Sequence, residues 1–175
     1  MAFSSEDVKK LRDLTGAGML DCKNALEAAD GDFENAKEVL RQKGFEAAAK
    51  RAERSTAEGI IHSYIHHNRR LGALVEVNCE SDFVARTDDF RKLAQQIALQ
   101  VAAANPLYIS ADEIAHGPEG DPKELCLLEQ PFVQDESRTI QDLLSEVISK
   151  TGENIRVRRF ARFELGRYGD GTSND

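Results

Sequence analysis

Five groups of residues in this chain have types and spacings that could do chemistry. His62, His66 and His67 come near Cys79 if the segment between them folds as a hairpin, a set that could ligate zinc. Thr15-Gly16-Ala17-Gly18 opens a helical stretch, as a phosphate-cradling loop would. Cys22 or Cys126 could act as a thiolate nucleophile beside a histidine. Arg156, Arg158, Arg159 and Arg162, interleaved with Phe160 and Phe163, have the pattern of an RNA-binding strand. Phe83 is a single aromatic in the short polar stretch Ser81 to Arg86, directly after an apolar alternating run.

Simple physics weighs against the first four. Two imidazoles four strand residues apart lie about 13 Å from each other, too far for one zinc with bonds near 2 Å, so no metal is expected. A dinucleotide loop needs a preceding strand and a third glycine three residues on. Here a helix precedes, and Asp21 at that position would repel a phosphate; a helix–helix turn is the better reading. Nothing in the sequence brings a base and an orienting group to either thiol. The arginine strand competes with a net charge of −8, which argues against broad binding to a phosphate backbone. An amphipathic strand with its basic face in solvent, or facing an acidic segment, is expected instead. Phe83 leaves two readings open: it tucks back into its own core, or it is held out for a partner.

Composition bounds the class. A chain of 175 residues with 41% apolar and 31% charged residues suits one or two small globular domains. No run of about 18 apolar residues occurs, so no membrane span is expected. The start, Met1 to Asp7, lacks a basic region followed by an apolar stretch, so no secretory signal is expected. The 3 cysteines have no Cys-x-x-Cys spacing, and reduced thiols in a cytoplasmic protein are expected. The acidity is local. Ser110 to Glu136 carries eight acids against one base, Lys123, whereas the first 54 residues are nearly neutral with ten bases and eleven acids. A solvated acidic face is the expectation for the connecting segment.

The elements that must position these residues follow from periodicity. Residues 1–54 read as a three-helix bundle with a helical linker. Ser4 or Ser5 caps a first helix, Phe3 packs back as a staple, and Val8, Leu11 and Leu14 form its apolar stripe. A second helix runs from about Met19 to Ala29, with Ala25, Leu26 and either Leu20 or Cys22 inward. Asp30-Gly31-Asp32 stops it and caps a third, with Phe33, Ala36, Val39 and Leu40 inward, ending at Gly44. Ala47 to Arg54 continues as a basic helical linker. From Ser55 the period becomes 2. A hairpin with a turn at Asn68-Arg69-Arg70 leads to Leu71–Cys79. Thr87 caps a long helix to about Ala104, ended by Asn105-Pro106. A short strand at 107–109, a helical turn near 123–128, a helix at 139–151 and a last strand at 155–165 complete an α+β core over 55–166, a small antiparallel sheet with helices on one face. Residues 167–175 are expected to be disordered.

Two of these stretches resemble the signatures of bacterial elongation factor Ts. Leu11-Arg12-Asp13-Leu14-Thr15-Gly16-Ala17-Gly18-Met19-Leu20-Asp21-Cys22-Lys23-Asn24-Ala25-Leu26 is similar to the first, and Glu76-Val77-Asn78-Cys79-Glu80-Ser81-Asp82-Phe83-Val84-Ala85-Arg86 to the second. Ser63 to His66, Glu129 to Phe132, and Gly152 to Ile155 with Leu165-Gly166 also resemble the family, in its order.

The resemblance implies guanine-nucleotide exchange on elongation factor Tu during translation, with no cofactor of its own and no direct nucleic acid or membrane partner. It implies that the bundle is ubiquitin-associated-like and docks on the GTPase through Leu11, Arg12, Thr15, Gly16, Gly18, Met19 and Lys23. It also implies that Ser81, Asp82, Phe83 and Val84 disturb the partner's magnesium and phosphate site, the phenylalanine entering a cleft between two helices. Ser81 stands where the family usually has threonine; serine keeps the hydroxyl and lacks the methyl group. The long coiled-coil insertion and second core repeat of larger members have no counterpart, and short members pair two copies, so a homodimer is implied. The rival reading is a non-catalytic adaptor whose bundle recognises a protein surface.

Overall fold

The computed structural model describes residues 3–116 and 120–167. Its architecture is α+β: seven α-helices and a small antiparallel sheet among the described residues. Helix α1, Ser5–Thr15, starts in a capping box, where the Ser4 hydroxyl accepts from Asp7 N–H and the Asp7 carboxylate accepts from Ser4 N–H. These bonds hold the Asp7 carboxyl below its ordinary range. Gly16 at φ 69 ends the helix in the left-handed conformation. Helix α2, Met19–Ala28, and α3, Phe33–Arg51, close the bundle around Val8, Leu11, Cys22, Ala25, Leu26 and Ala36, with Phe3, Phe33, Val39 and Leu40 packed against them.

Two expectations for the bundle need correction. Leu14 is not part of the inward stripe; it is 65% exposed beside the α1–α2 turn. Gly44 does not stop α3, which runs unbroken through it and absorbs most of the segment read as a linker. The reason is packing. Gly44 is buried against helix α7, Ile140–Thr151, and a Cβ placed on it would lie 3.8 Å from Ser145 Cβ. The missing side chain lets the two helices approach; it does not end either one.

The core is built on β1, Glu58–Ile65, and β2, Leu71–Cys79, which pair as the expected hairpin. At its turn Arg69 takes φ 57, and the Asn68 side chain accepts from Arg70 N–H at 3.0 Å. Strand β5, Ile155–Glu164, pairs antiparallel on the other edge of β2, giving the order β1-β2-β5. The segment read as a polar loop after β2 contains one helical turn, α4, Asp82–Ala85. Helix α5, Asp88–Ala104, capped by Thr87 and ended by Asn105 at φ 50, buries Phe90, Leu93, Ile97 and Val101 against the inner sheet face. Ala73, Val75, Val77, Ile155 and Val157 supply that face, and Leu143, Leu144, Val147 and Ile148 of α7 complete the core.

The acidic connection holds a 3-10 helix at Ala111–His116 and a single turn, α6, Pro122–Leu125. Residues 107–109 form no full strand; Tyr108 makes an isolated parallel bridge to Cys126. A small hairpin, β3 at Pro131–Phe132 and β4 at Asp135–Thr139, was not legible beforehand. It is anchored by buried Gln100, whose amide donates to Gln130 Oε1 and Pro131 O and whose oxygen accepts from Val133 N–H at 2.9 Å. Leu165 and Gly166 form a turn, and Arg167, placed in the expected disordered tail, bridges back to Glu164; residues 168–175 of that tail lie outside the described residues.

Two glycines give a paired test of this packing. Gly44→Ala fits the space against Ser145 and is expected to stabilise by roughly 0.5–1 kcal/mol as a helix-interior replacement. Gly59 sits at φ 150, and a Cβ there would lie 2.2 Å from Val77 O. Gly59→Ala is expected to destabilise by at least about 1–3 kcal/mol. Thermal unfolding of both variants checks the opposite signs.

Candidate functional site

The position of Phe83 follows from the way its turn is tied. Strand β2 ends at Cys79, which is buried, and its thiol donates to Ser81 O at 3.1 Å. Burial first, and the nearby Glu153 charge second, push that thiol up to about 11. Ser81 is extended and caps α4, its hydroxyl accepting from Val84 N–H at 3.3 Å. Thr87 closes the far side, donating its hydroxyl to Val84 O at 2.8 Å. Val84 and Ala85 are buried in the core beneath. The helical period then leaves the preceding residues outside. Asp82 pairs across the turn with Arg86 at 2.9 Å, and Phe83 between them is 77% exposed. Of the two readings left open for this ring, the structure has the outward one.

A second exposed patch lies on the bundle. The α1–α2 turn is held internally: Thr15 donates its hydroxyl to Leu11 O at 2.8 Å, and the Cys22 thiol donates to Ala17 O at 3.7 Å. Around it Arg12, Gly16, Gly18, Met19 and Lys23 are exposed, and Thr15 is half-buried. Leu11 is fully buried in the bundle core, so its side chain supports this patch from beneath and is not on its surface. Leu14 and Leu20, the latter 69% exposed, belong to the patch and were missed. For Leu20 the signal available was an apolar residue on the polar side of the helical period, next to the turn; Leu14 gave none, since its spacing from Leu11 fits the inward stripe.

Lys150 of α7 connects the patches. A Cβ on Gly16 would meet Lys150 Cε at 2.2 Å, so the lysine stem crosses the bundle turn where no side chain stands. Its ammonium pairs with Glu146 at 2.7 Å and reaches Asp89, in the first turn of α5, at 3.9 Å. Asp89 follows closely on the turn that carries Phe83. An open groove of about 770 Å³ runs between bundle and core. Its charges answer one another: Arg41 pairs with Glu38 at 2.7 Å and Asp142 at 3.3 Å, and Arg138 pairs with Glu146.

The remaining sequence candidates are accounted for locally. Among the described residues no group of three or more metal-binding side chains comes together; His66 Nδ1 hydrogen-bonds the Tyr64 hydroxyl at 2.9 Å. Cys22, Cys79 and Cys126 are all buried, unpaired thiols. Three of the four arginines of that strand bond within the molecule: Arg159 pairs with Glu76 at 2.6 Å, Arg162 pairs with Glu164 and donates to Ala102 O, and Arg156 donates to Ala52 O. A bulge between Val157 and Arg159 puts Arg158 and Arg159 both outside. No described helix is long and apolar enough to cross a membrane.

Comparison with known proteins falls on the same residues. The family model described as Elongation factor TS matches residues 19–117, which include Met19, Lys23 and the whole Phe83 turn. Elongation factor Ts of Carboxydothermus hydrogenoformans is 48% identical, over 94% of this chain and 89% of the relative. That of Thermoanaerobacter sp. (strain X514) is 46% identical, over 99% of this chain and 100% of the relative. That of Thermotoga maritima is 45% identical, over 95% and 98%. With an exposed ring on a fixed turn, a second apolar patch on the bundle, and near full-length likeness to these proteins, the chain belongs to the elongation factor Ts family.

Proposed function

We propose that this protein is a guanine-nucleotide exchange factor for elongation factor Tu, promoting GDP release in the cytoplasm during translation elongation. The observation that carries the reading is Phe83, an apolar ring kept in water on a turn whose neighbours are all tied down. The bundle, with a ubiquitin-associated-like fold, docks on the GTPase through Arg12, Thr15, Gly16, Gly18, Met19 and Lys23, joined by Leu14 and Leu20. Phe83, presented with Ser81, Asp82 and Val84, enters the partner and disturbs its magnesium and phosphate site. The protein makes and breaks no covalent bond; it is not an enzyme in that sense.

Linkage sets what this requires. A factor that prefers the nucleotide-free GTPase weakens GDP by the same ratio. Burying one phenylalanine yields roughly 1.5–3 kcal/mol, and each tenfold in rate takes about 1.4 kcal/mol. One ring therefore accounts for about one to two powers of ten, and larger acceleration draws on the bundle contacts. Such a division of labour is consistent with two separate exposed patches.

The outer face of the sheet supports a homodimer. An antiparallel sheet open on one side normally carries polar residues there. Here Ile61, Ile65, Leu74, Phe163 and Leu165 are exposed. Cross-strand pairing sets Ile65, Gly72 and Phe163 in one row and Ser63, Leu74 and Ala161 in the next. A second copy of the same face, turned about a two-fold axis, would cover this patch.

Three outcomes test the proposal. Phe83→Ala is expected to lower factor-stimulated release of fluorescent GDP by about 10- to 100-fold, with thermal unfolding within about 0.5 kcal/mol of the parent; unchanged release defeats the assignment. Affinity for the GTPase is expected to fall as GDP and magnesium are added, whereas an adaptor would bind regardless of both. Phe163→Glu on the sheet face is expected to convert a dimer to a monomer in sedimentation equilibrium; a parent chain that is already monomeric removes the homodimer.

A further inference from the structure

One side chain from outside the Phe83 turn takes up the donors at its start. Glu153 lies in the link between α7 and β5, just after Gly152, whose φ of 73 turns the chain off the helix. Glu153 Oε2 accepts from the backbone N–H of Glu80 at 3.1 Å and of Ser81 at 3.0 Å. Its Oε1 accepts from the Ser81 hydroxyl at 2.6 Å. That same hydroxyl caps α4 by accepting from Val84 N–H. So the carboxylate fixes both the backbone before the turn and the group that caps it.

Glu153 is itself held on both sides. Its N–H donates to Thr151 Oγ1 at 3.4 Å. The next N–H, of Asn154, donates to the Glu80 carboxylate at 2.6 Å, which closes a reciprocal clamp between 80–81 and 153–154. This bond, and Arg54 after it, hold the Glu80 carboxyl below its ordinary range. Buried Asn154 then donates its side-chain amide to Ala52 O at 3.2 Å and Arg54 O at 2.8 Å, past the end of α3.

A turn of only four residues has no stability of its own, and an exposed ring tends to swing onto the nearest apolar surface. We propose that Glu153 is a positioning residue for nucleotide exchange: it clamps Glu80 and Ser81 so that Phe83 stays pointed outward. The inference rests on the reading of Phe83 as the displacing group.

The test is release of fluorescent GDP from the GTPase across a range of factor concentrations. Glu153→Ala is expected to lower the plateau rate about tenfold while moving the half-saturating concentration less than about twofold, since bundle docking is untouched. Glu153→Gln keeps one oxygen for the two N–H groups and an amide for the Ser81 hydroxyl, so it should recover most of the rate. In a Phe83→Ala background, Glu153→Ala should cost nothing further, because it acts through the ring. An equal loss in both backgrounds, or a plateau unchanged by Glu153→Ala when Phe83→Ala lowers it, overturns the assignment of Glu153 alone. A plateau unchanged by Phe83→Ala overturns both readings. Should Glu153→Ala unfold, Ser81→Ala removes the 2.6 Å bond and the cap, and the same background dependence decides the outcome.

Discussion

An exposed phenylalanine forgoes roughly 1.5–3 kcal/mol that burial would give it. A protein that keeps one in water must therefore make retreat costlier than exposure. Here the constraint is met by denying the backbone any slack. Val84 and Ala85, the residues after Phe83, are anchored in the core. Ser81, two residues before, is capped and clamped. Between those anchors the helical period leaves the ring no inward direction. The rest of the core serves this arrangement: β2 delivers Cys79 to the start of the turn, α5 begins at its end, and the α7–β5 link supplies the carboxylate.

The surface residues divide by the same logic. Some charges are matched within the molecule, as in the Arg41 and Lys150 pairs and the Arg159–Glu76 pair across the sheet. Most exposed large apolar groups gather at the Phe83 turn, the α1–α2 turn and the outer sheet face. Three separate apolar areas on one small chain are more than a solitary monomer needs; the function proposed above assigns two of them to a GTPase and the third to a second copy.

Much of this was legible in the residue order. Caps at Ser4, Asp32 and Thr87, and stops at Gly16, Asn105 and Gly152, act locally, so sequence and structure agree on them to within a residue or so. What sequence could not give depends on contacts between distant segments. Gly44 reads as a stop until Ser145 is seen against it. Leu14 reads as core because its spacing from Leu11 fits, yet the bundle is too small to cover it. Phe83 was undecidable on pattern alone, since the direction of a side chain on a four-residue turn is fixed by Glu153, far along the chain. Leu11 illustrates the opposite hazard: a residue of the motif read as docking surface lies in the core beneath that surface.

The uninterrupted run of α3 through Gly44 has a mechanical consequence. At 19 residues the helix is a rod about 28 Å long, with the bundle at one end and the bonds from Arg51, Ala52 and Arg54 to Gly152 and Asn154 at the other. Between these ends Gly44 lets α3 lie close to α7, and the Arg41–Asp142 pair ties the two helices one turn away. That far end is fastened to the 152–154 segment, whose Glu153 grips Ser81. The rod and the clamp thus join the bundle and the Phe83 turn through one continuous set of bonds, so the ring's footing and the bundle's share a single support.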